Sequence, residues 1–168
     1  MSVAIFCHSR LSRLPVLAVM ASLVACGFQL QGTATMPPGV HSVFIATDDG
    51  LTPFAVEMSE AIERSGAVVA PAAGVADLVL RIQRDRRGHR VLSVSASNTP
   101  QEYEVYYWID YSIDRGGVEV APVLRLEQSR YISFDASKLL AKDREEDILH
   151  EAMAQDLASR VLRKIEAL

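Results

Sequence analysis

The stretch Glu102-Tyr-Glu-Val-Tyr-Tyr-Trp-Ile-Asp-Tyr-Ser-Ile113 decides how the rest of the chain is read. Tyr103, Val105, Tyr107, Ile109, Tyr111 and Ile113 recur at a period of two, and Glu102, Glu104, Tyr106, Trp108, Asp110 and Ser112 fill the places between. That alternation predicts a long strand with one buried face and one mixed polar and aromatic face. Directly after it, Asp114-Arg115-Gly116-Gly117 predicts a hairpin turn, because glycine supplies the positive φ that two-residue hairpin loops need. The partner strand is expected over about Val123 to Phe134, with Leu124, Leu126, Ile132 and Phe134 on one side and Pro122 marking its start.

Working back toward the N-terminus, Val75 to Arg86 sets Leu78, Leu80 and Ile82 against Val79, Arg81 and Gln83, a strand with one wet face. His41 to Ala46 is a short apolar run for a buried strand. Between them, Thr52-Pro53 reads as a helix cap followed by proline at the first helical position, with Phe54, Met58, Ala61, Ile62 and Ser65 on one face and Gly66 as the stop. At the other end a helix is expected from about Arg144 to Ala167. Asp143 and Glu146 would form its capping box, and Ile148, Leu149, Ala152, Met153, Leu157, Val161, Ile165 and Leu168 its apolar stripe. The order β-α-β-β-β-α predicts an α+β two-layer sandwich: two helices on one face of a four-stranded mixed, mostly antiparallel sheet. The other face, carrying Trp108 and Tyr106, is left as a candidate contact surface.

The N-terminus reads as an address. Arg10 and Arg13, with no acid nearby, precede the apolar run Leu14 to Ala25. That run is well short of the ~20 residues that a spanning helix needs. Leu23-Val24-Ala25-Cys26-Gly27 resembles a bacterial lipobox, with Val24 bulkier than the usual residue there. Residues 1–25 are therefore expected to be a lipoprotein signal peptide, Cys26 the lipid attachment point, 26–39 a Pro-rich tether and 40–168 the folded domain. The competing reading is an ordinary signal peptide with an incidental cysteine. Gly27 after the cysteine implies, by resemblance to sorted lipoproteins, release to the outer membrane.

Composition narrows the function. With 49% hydrophobic and 23% charged residues, the chain is globular. Its net charge is −4, and removing the two leader arginines leaves −6, which argues against nucleic acid as a partner. Both cysteines, Cys7 and Cys26, lie before the domain, so the domain has neither a disulfide framework nor a cysteine metal site. His8, His41, His89 and His150 stand apart from one another, and no catalytic motif is present. No catalytic residue, metal or cofactor is expected. Arg81, Arg84, Arg86, Arg87 and Arg90 crowd one window. They are either ordinary charges on a solvated hairpin or forks for phosphate oxygens. Arg125 and Arg130 lie on the fourth strand, and Lys138 and Lys142 just before the last helix.

Cys-Gly-Phe-Gln-Leu-Gln-Gly at 26–32, Gln-Glu-Tyr-Glu-Val at 101–105, Arg-Tyr-Ile-Ser-Phe-Asp at 130–135, Leu-Ala-Lys-Asp with the following acids at 140–149, and the closing block at 153–165 together resemble the LptE family of lipopolysaccharide-transport lipoproteins. The resemblance implies the same two-helix, four-strand sandwich. It also implies a non-enzymatic lipoprotein on the periplasmic side of the outer membrane that plugs the lumen of the LptD β-barrel, helps it assemble, and binds lipopolysaccharide. The anchor would be the Cys26 lipid in the inner leaflet. By the same resemblance Lys142 matches a family basic position. The family's hairpin basic position falls near Ala96, so Arg90, Arg87 or Arg86 would stand in for it, with Lys138 and Arg130 adding charge. The alternative is a free-standing, periplasm-facing lipid-binding lipoprotein with no barrel partner.

Overall fold

A computed structural model describes residues 35–133 and 139–168, the side chains of 139–142 excepted. The elements are β1 (Ser42–Ala46), α1 (Pro53–Arg64), β2 (Val68–Val69), a 3₁₀ turn (Ala73–Val75), β3 (Leu78–Val94), β4 (Pro100–Arg115), β5 (Val118–Ser133) and α2 (Leu139–Glu166). The strands form one mixed sheet in the order β2-β1-β3-β4-β5. β1 runs parallel to β2 and β3, and β3, β4 and β5 are successively antiparallel. A parallel neighbour needs a crossover, and α1 supplies it.

The α+β class agrees with the sequence reading; the sheet has five strands and not four. The extra one, β2, is a two-residue edge, and Val68 and Ala70 donate to the carbonyls of His41 and Val43. Two residues are too few to show a period. β3 runs on to Val94, well past Arg86, because the charged stretch after Ile82 finds partners across the ladder on β4. β1 pairs with β3 only through Val43 to Ala46, opposite Leu78 to Arg81. Beyond Arg81 the sheet is therefore a three-stranded ribbon of β3, β4 and β5.

The hairpin turn is where the glycines put it: Gly116 (φ 58°) and Gly117 (φ 80°) join Arg115 to its partner Val118. β5 therefore begins at Val118. Pro122 lies inside it, within a register shift between the pairs Tyr111–Leu124 and Ile113–Ala121. An edge strand tolerates a missing donor there. The expected end at Phe134 lies outside the described residues.

Both helices cover the face carrying the odd-numbered β4 residues. Val105, Tyr107, Ile109 and Ile113 are fully buried there with Leu78 and Leu80, against Phe54, Met58 and Ile62 of α1 and Met153, Leu157, Val161 and Ile165 of α2. Each fully buried side chain of this size contributes roughly 1.5–3 kcal/mol. α1 starts as expected: Thr52 Oγ1 accepts from Ala55 N at 3.2 Å, and Pro53 opens the helix.

α2 starts earlier than expected. Leu139 opens the helix, so Asp143 and Glu146 lie beyond its first turn and the capping-box assignment is corrected. Its buried stripe runs through His150, Met153, Ala154, Leu157, Ala158, Val161, Leu162 and Ile165; Ile148, Ala152 and Leu168 are exposed. Thr35–Gly39, the last part of the expected tether, lies against the domain. Thr35 donates to Glu166, Arg115 donates to the Pro38 carbonyl, and Met36 packs on the core.

Candidate interaction surface

Pleating sends alternate residues of each strand to opposite faces, and the register then groups them into cross-strand rows. On the face away from the helices the rows are Arg84–Asp110–Arg125, Arg86–Trp108–Glu127, Gly88–Tyr106–Ser129, Arg90–Glu104–Tyr131 and Ser93–Glu102–Ser133. A register shift at Gln83 brings Arg84, Arg86 and Arg90 onto this face in phase.

The charges there are largely paired. Arg125 donates through Nε to Asp110 Oδ1 (2.7 Å) and through Nη2 to Asp110 Oδ2 (2.8 Å), a bidentate fork. Arg84 approaches the same carboxylate at 3.5 Å. Arg125 also lies over the Trp108 ring, 4.1 Å from its centroid, close enough for a cation–π contact. Arg90 donates to Glu104, and Arg81 to Asp114 at 2.7 Å. The Arg125 fork holds the Asp110 carboxyl below the usual carboxylate range, and Arg90 does the same for Glu104. Tyr106 lies across Gly88, where a Cβ would stand 2.9 Å from its phenol oxygen; the glycine makes room for the ring.

The helix-covered face of the ribbon carries the rows Arg87–Tyr107–Gln128, His89–Val105–Arg130 and Val91–Tyr103–Ile132. α2 reaches it through polar contacts. His89 Nδ1 and Glu146 Oε1 are 2.9 Å apart, and Arg130 Nη2 donates to Asp156 at 3.3 Å. Arg87 is exposed and lines a cavity of about 310 Å³ with Thr47, Asp48, Asp49, Thr52 and Asp85. Tyr107 is buried, and its hydroxyl accepts from Phe54 N at 3.1 Å. Burial, with the nearby Asp85 charge, pushes its pKa up.

The arginines that crowd one window of sequence are thus divided. Arg86 and Arg90 lie on the open face, while Arg87 lies on the helix face with Arg130. Arg90 and Arg130 are engaged with Glu104 and Asp156; Arg86 and Arg87 have no ion pair among the described residues. Cys26 and Lys138 lie outside the described residues, as does the side chain of Lys142, whose backbone is in the first turn of α2. Sequence reasoning missed the acids that pair with the arginines. Asp110 and Glu104 were legible as open-face residues, but their partners depend on register shifts that leave no periodic mark.

The family follows from likeness to known chains. The model of the LptE family, described as lipopolysaccharide-assembly, matches residues 40–165. The chain belongs to the LptE family. LPS-assembly lipoprotein LptE of Yersinia enterocolitica is 24% identical over 159 residues, covering 94% of this chain and 76% of the relative. The Pectobacterium atrosepticum LptE is 24% identical over 150 residues, 89% of this chain and 80% of the relative. Among solved structures, an uncharacterized lipoprotein B from Nitrosomonas europaea superposes with a TM-score of 0.70 at 27% identity, over 84% of this chain and 91% of its own. The rare lipoprotein B of Shewanella oneidensis shares the fold, with a TM-score of 0.65 at 24% identity over 75% and 94% of the two chains. As an LptE-family lipoprotein the chain takes part in lipopolysaccharide assembly. No helix among the described residues is long and apolar enough to cross a membrane.

Proposed function

We propose that this LptE-family chain is a non-enzymatic outer-membrane lipoprotein, held in the inner leaflet by lipid on Cys26. In this reading residues 1–25 are the leader, 26–39 the tether and 40–168 the working domain. The domain plugs an LptD-type β-barrel from the periplasmic side, assists its assembly, and binds lipopolysaccharide on its way to the outer leaflet. The observation that carries the plug is the open sheet face. It is long, uncovered by either helix, and built of guanidinium–carboxylate pairs interleaved with Trp108 and Tyr106. A barrel lumen is polar and wet, and a wall on which most of the charges are internally paired enters it with few lone ions to desolvate.

For lipopolysaccharide, the phosphate-binding set is Lys142, Lys138, Arg90, Arg87, Arg86 and Arg130. Arg86 and Arg87 have no ion pair to give up among the described residues; Arg90 and Arg130 would exchange a carboxylate for a phosphate. Tagged full-length lipoprotein, extracted from outer membranes in mild detergent, should bring a large β-barrel and lipopolysaccharide with it. Recovery as a lone chain carrying lipid would instead support a free-standing lipid binder and overturn the plug. Lys142→Glu should lower the lipopolysaccharide load at an unchanged barrel yield; an unchanged load removes Lys142 from the site.

A further inference from the structure

Residues 35–39 fasten the entering chain to one end of the sheet. Thr35 donates from N and from Oγ1 to Glu166, in the last turn of α2, at 3.2 and 3.0 Å. Arg115, beside the Gly116–Gly117 turn, donates to the Pro38 carbonyl at 2.9 Å. We propose that this end of the domain rests on the membrane, with Arg160, Arg163 and Lys164 of α2 against anionic phospholipid headgroups in the leaflet that holds the Cys26 lipid. The inference rests on the lipid-anchor reading and adds to it the protein surface that the anchor brings to the membrane.

Chain length fixes the reach. Nine residue steps separate Cys26 from Thr35, and a fully extended chain covers at most about 32 Å in that number. β4, 16 residues long, spans roughly 50 Å. An anchor in the leaflet therefore keeps the Thr35 end near the headgroups and leaves the opposite end of the ribbon free to stand away from them. Exposed charges are screened beyond about 8 Å at physiological salt. The cations able to act on the surface are thus those at the Thr35 end.

Arg160, Arg163 and Lys164 recur at i, i+3 and i+4, which sets them on one side of the helix. All three are exposed, while Val161, Leu162 and Ile165 between them are buried in the core. None of the three forms an ion pair among the described residues. Glu166 is the one acid after Asp156, and it accepts from Thr35. The exposed Glu63 on α1 and Glu119 past the hairpin turn are not paired with them either. The helix dipole favours a cation in the last turn, but Arg160 stands above that turn, where the effect has faded. In a chain whose net charge is −6 without the leader arginines, three free cations beside the entry of a lipidated segment fit a negatively charged lipid surface, to which each adds attraction.

The test uses the full chain, processed in cells, purified from outer membranes with whatever it binds, and reconstituted into phosphatidylcholine vesicles with or without phosphatidylglycerol. A photoreactive residue is placed singly at Ala167, exposed beside the three cations, or at Glu145, exposed toward the other end of α2. Adducts and the mass of the mature chain are read by mass spectrometry. Phospholipid adducts are expected at 167 and not at 145. Their yield should fall at least fivefold without phosphatidylglycerol, and likewise in the variant Arg160→Gln, Arg163→Gln, Lys164→Gln, whose exposed positions leave the core untouched. Equal yields at 167 and 145, no phospholipid adduct at 167, or a yield indifferent to both changes overturns the headgroup contact and leaves the anchor standing. Adducts at 167 to protein alone assign the cations to a protein partner and overturn it too. A mature chain without acyl groups on Cys26 overturns the anchor, and the contact with it.

Discussion

Tyr107→Phe removes a buried hydroxyl that links the sheet to a helix and also meets the Asp85 and Thr52 side chains. The Tyr107 hydroxyl accepts from Phe54 N at 3.1 Å, and both residues are fully buried. Phe54 stands in the first turn of α1, so its N–H has no carbonyl of its own helix to reach. Removing the phenol oxygen leaves that donor buried and unpaired, which costs roughly 1–3 kcal/mol. Taking about 2 kcal/mol, and about 3–5 °C per kcal/mol for a domain of this size, Tm should fall by about 6–10 °C. Tyr111→Phe is the matched control. Tyr111 is also buried, but its hydroxyl makes no hydrogen bond among the described residues. Its loss should move Tm by less than about 2 °C. Thermal unfolding followed by far-UV circular dichroism reads both. Equal shifts for the two variants, or none for Tyr107→Phe, would refute the claim that this hydroxyl fastens α1 to β4.

Thr52→Ala removes the side-chain acceptor for Ala55 N and should cost about 1 kcal/mol, seen as a Tm lower by a few degrees. Acid stability should track three carboxylates. Asp77 is held below its usual pKa chiefly by the backbone N–H of His41, Glu104 by Arg90 and Asp110 by Arg125. Because each folded-state pKa is depressed, their stabilisation is full above the unfolded carboxylate pKa of ~4 and drains away as pH falls through the lower folded values. Urea midpoints measured downward from neutral pH should drop once the pH passes below ~4 in the wild type, and less steeply in the variant Asp77→Asn, Glu104→Gln, Asp110→Asn. Arg125→Lys gives up the fork to Asp110 and the flat stack on Trp108, so Trp108 emission should become more open to acrylamide quenching. Unchanged quenching would mean that the guanidinium does not cover the ring.

Period-two patterning was enough to find β4 and to say which of its residues are buried, because one face is sealed by helices and a one-residue slip would invert every side chain. The Gly116–Gly117 turn was equally legible, since few residues tolerate its backbone. What escaped was whatever depends on a distant partner. The run Arg84 to Arg90 reads as ordinary charges on a solvated hairpin or as phosphate forks until Asp110 and Glu104 are placed opposite it. The early start of α2 rests on Leu139 and Leu140, which read as well in a loop as in a helix when the acids at 143–147 offer a plausible cap. The basic site was found as a set of residues and not as an arrangement, because register shifts at Gln83 and Leu92 change which of them share a face.

That division bears on the proposed function. A ligand lying flat on the open face would meet Arg86 and Arg90 but would have to reach around the ribbon to meet Arg87 and Arg130. Beyond Arg81 no strand among the described residues pairs with the outer edge of β3, so the ribbon there is narrow and the way round it is short. A ligand with two separated anionic groups can straddle that edge, one group against each face. A ligand with one anionic group cannot. Arg86→Gln and Arg87→Gln should each weaken binding of a bis-phosphorylated glycolipid and together weaken it further. For a mono-phosphorylated one, whichever arginine carries the contact should account for the whole loss. Equal losses from both single variants with the mono-phosphorylated ligand would show that the two arginines converge on one group, contrary to their placement on opposite faces.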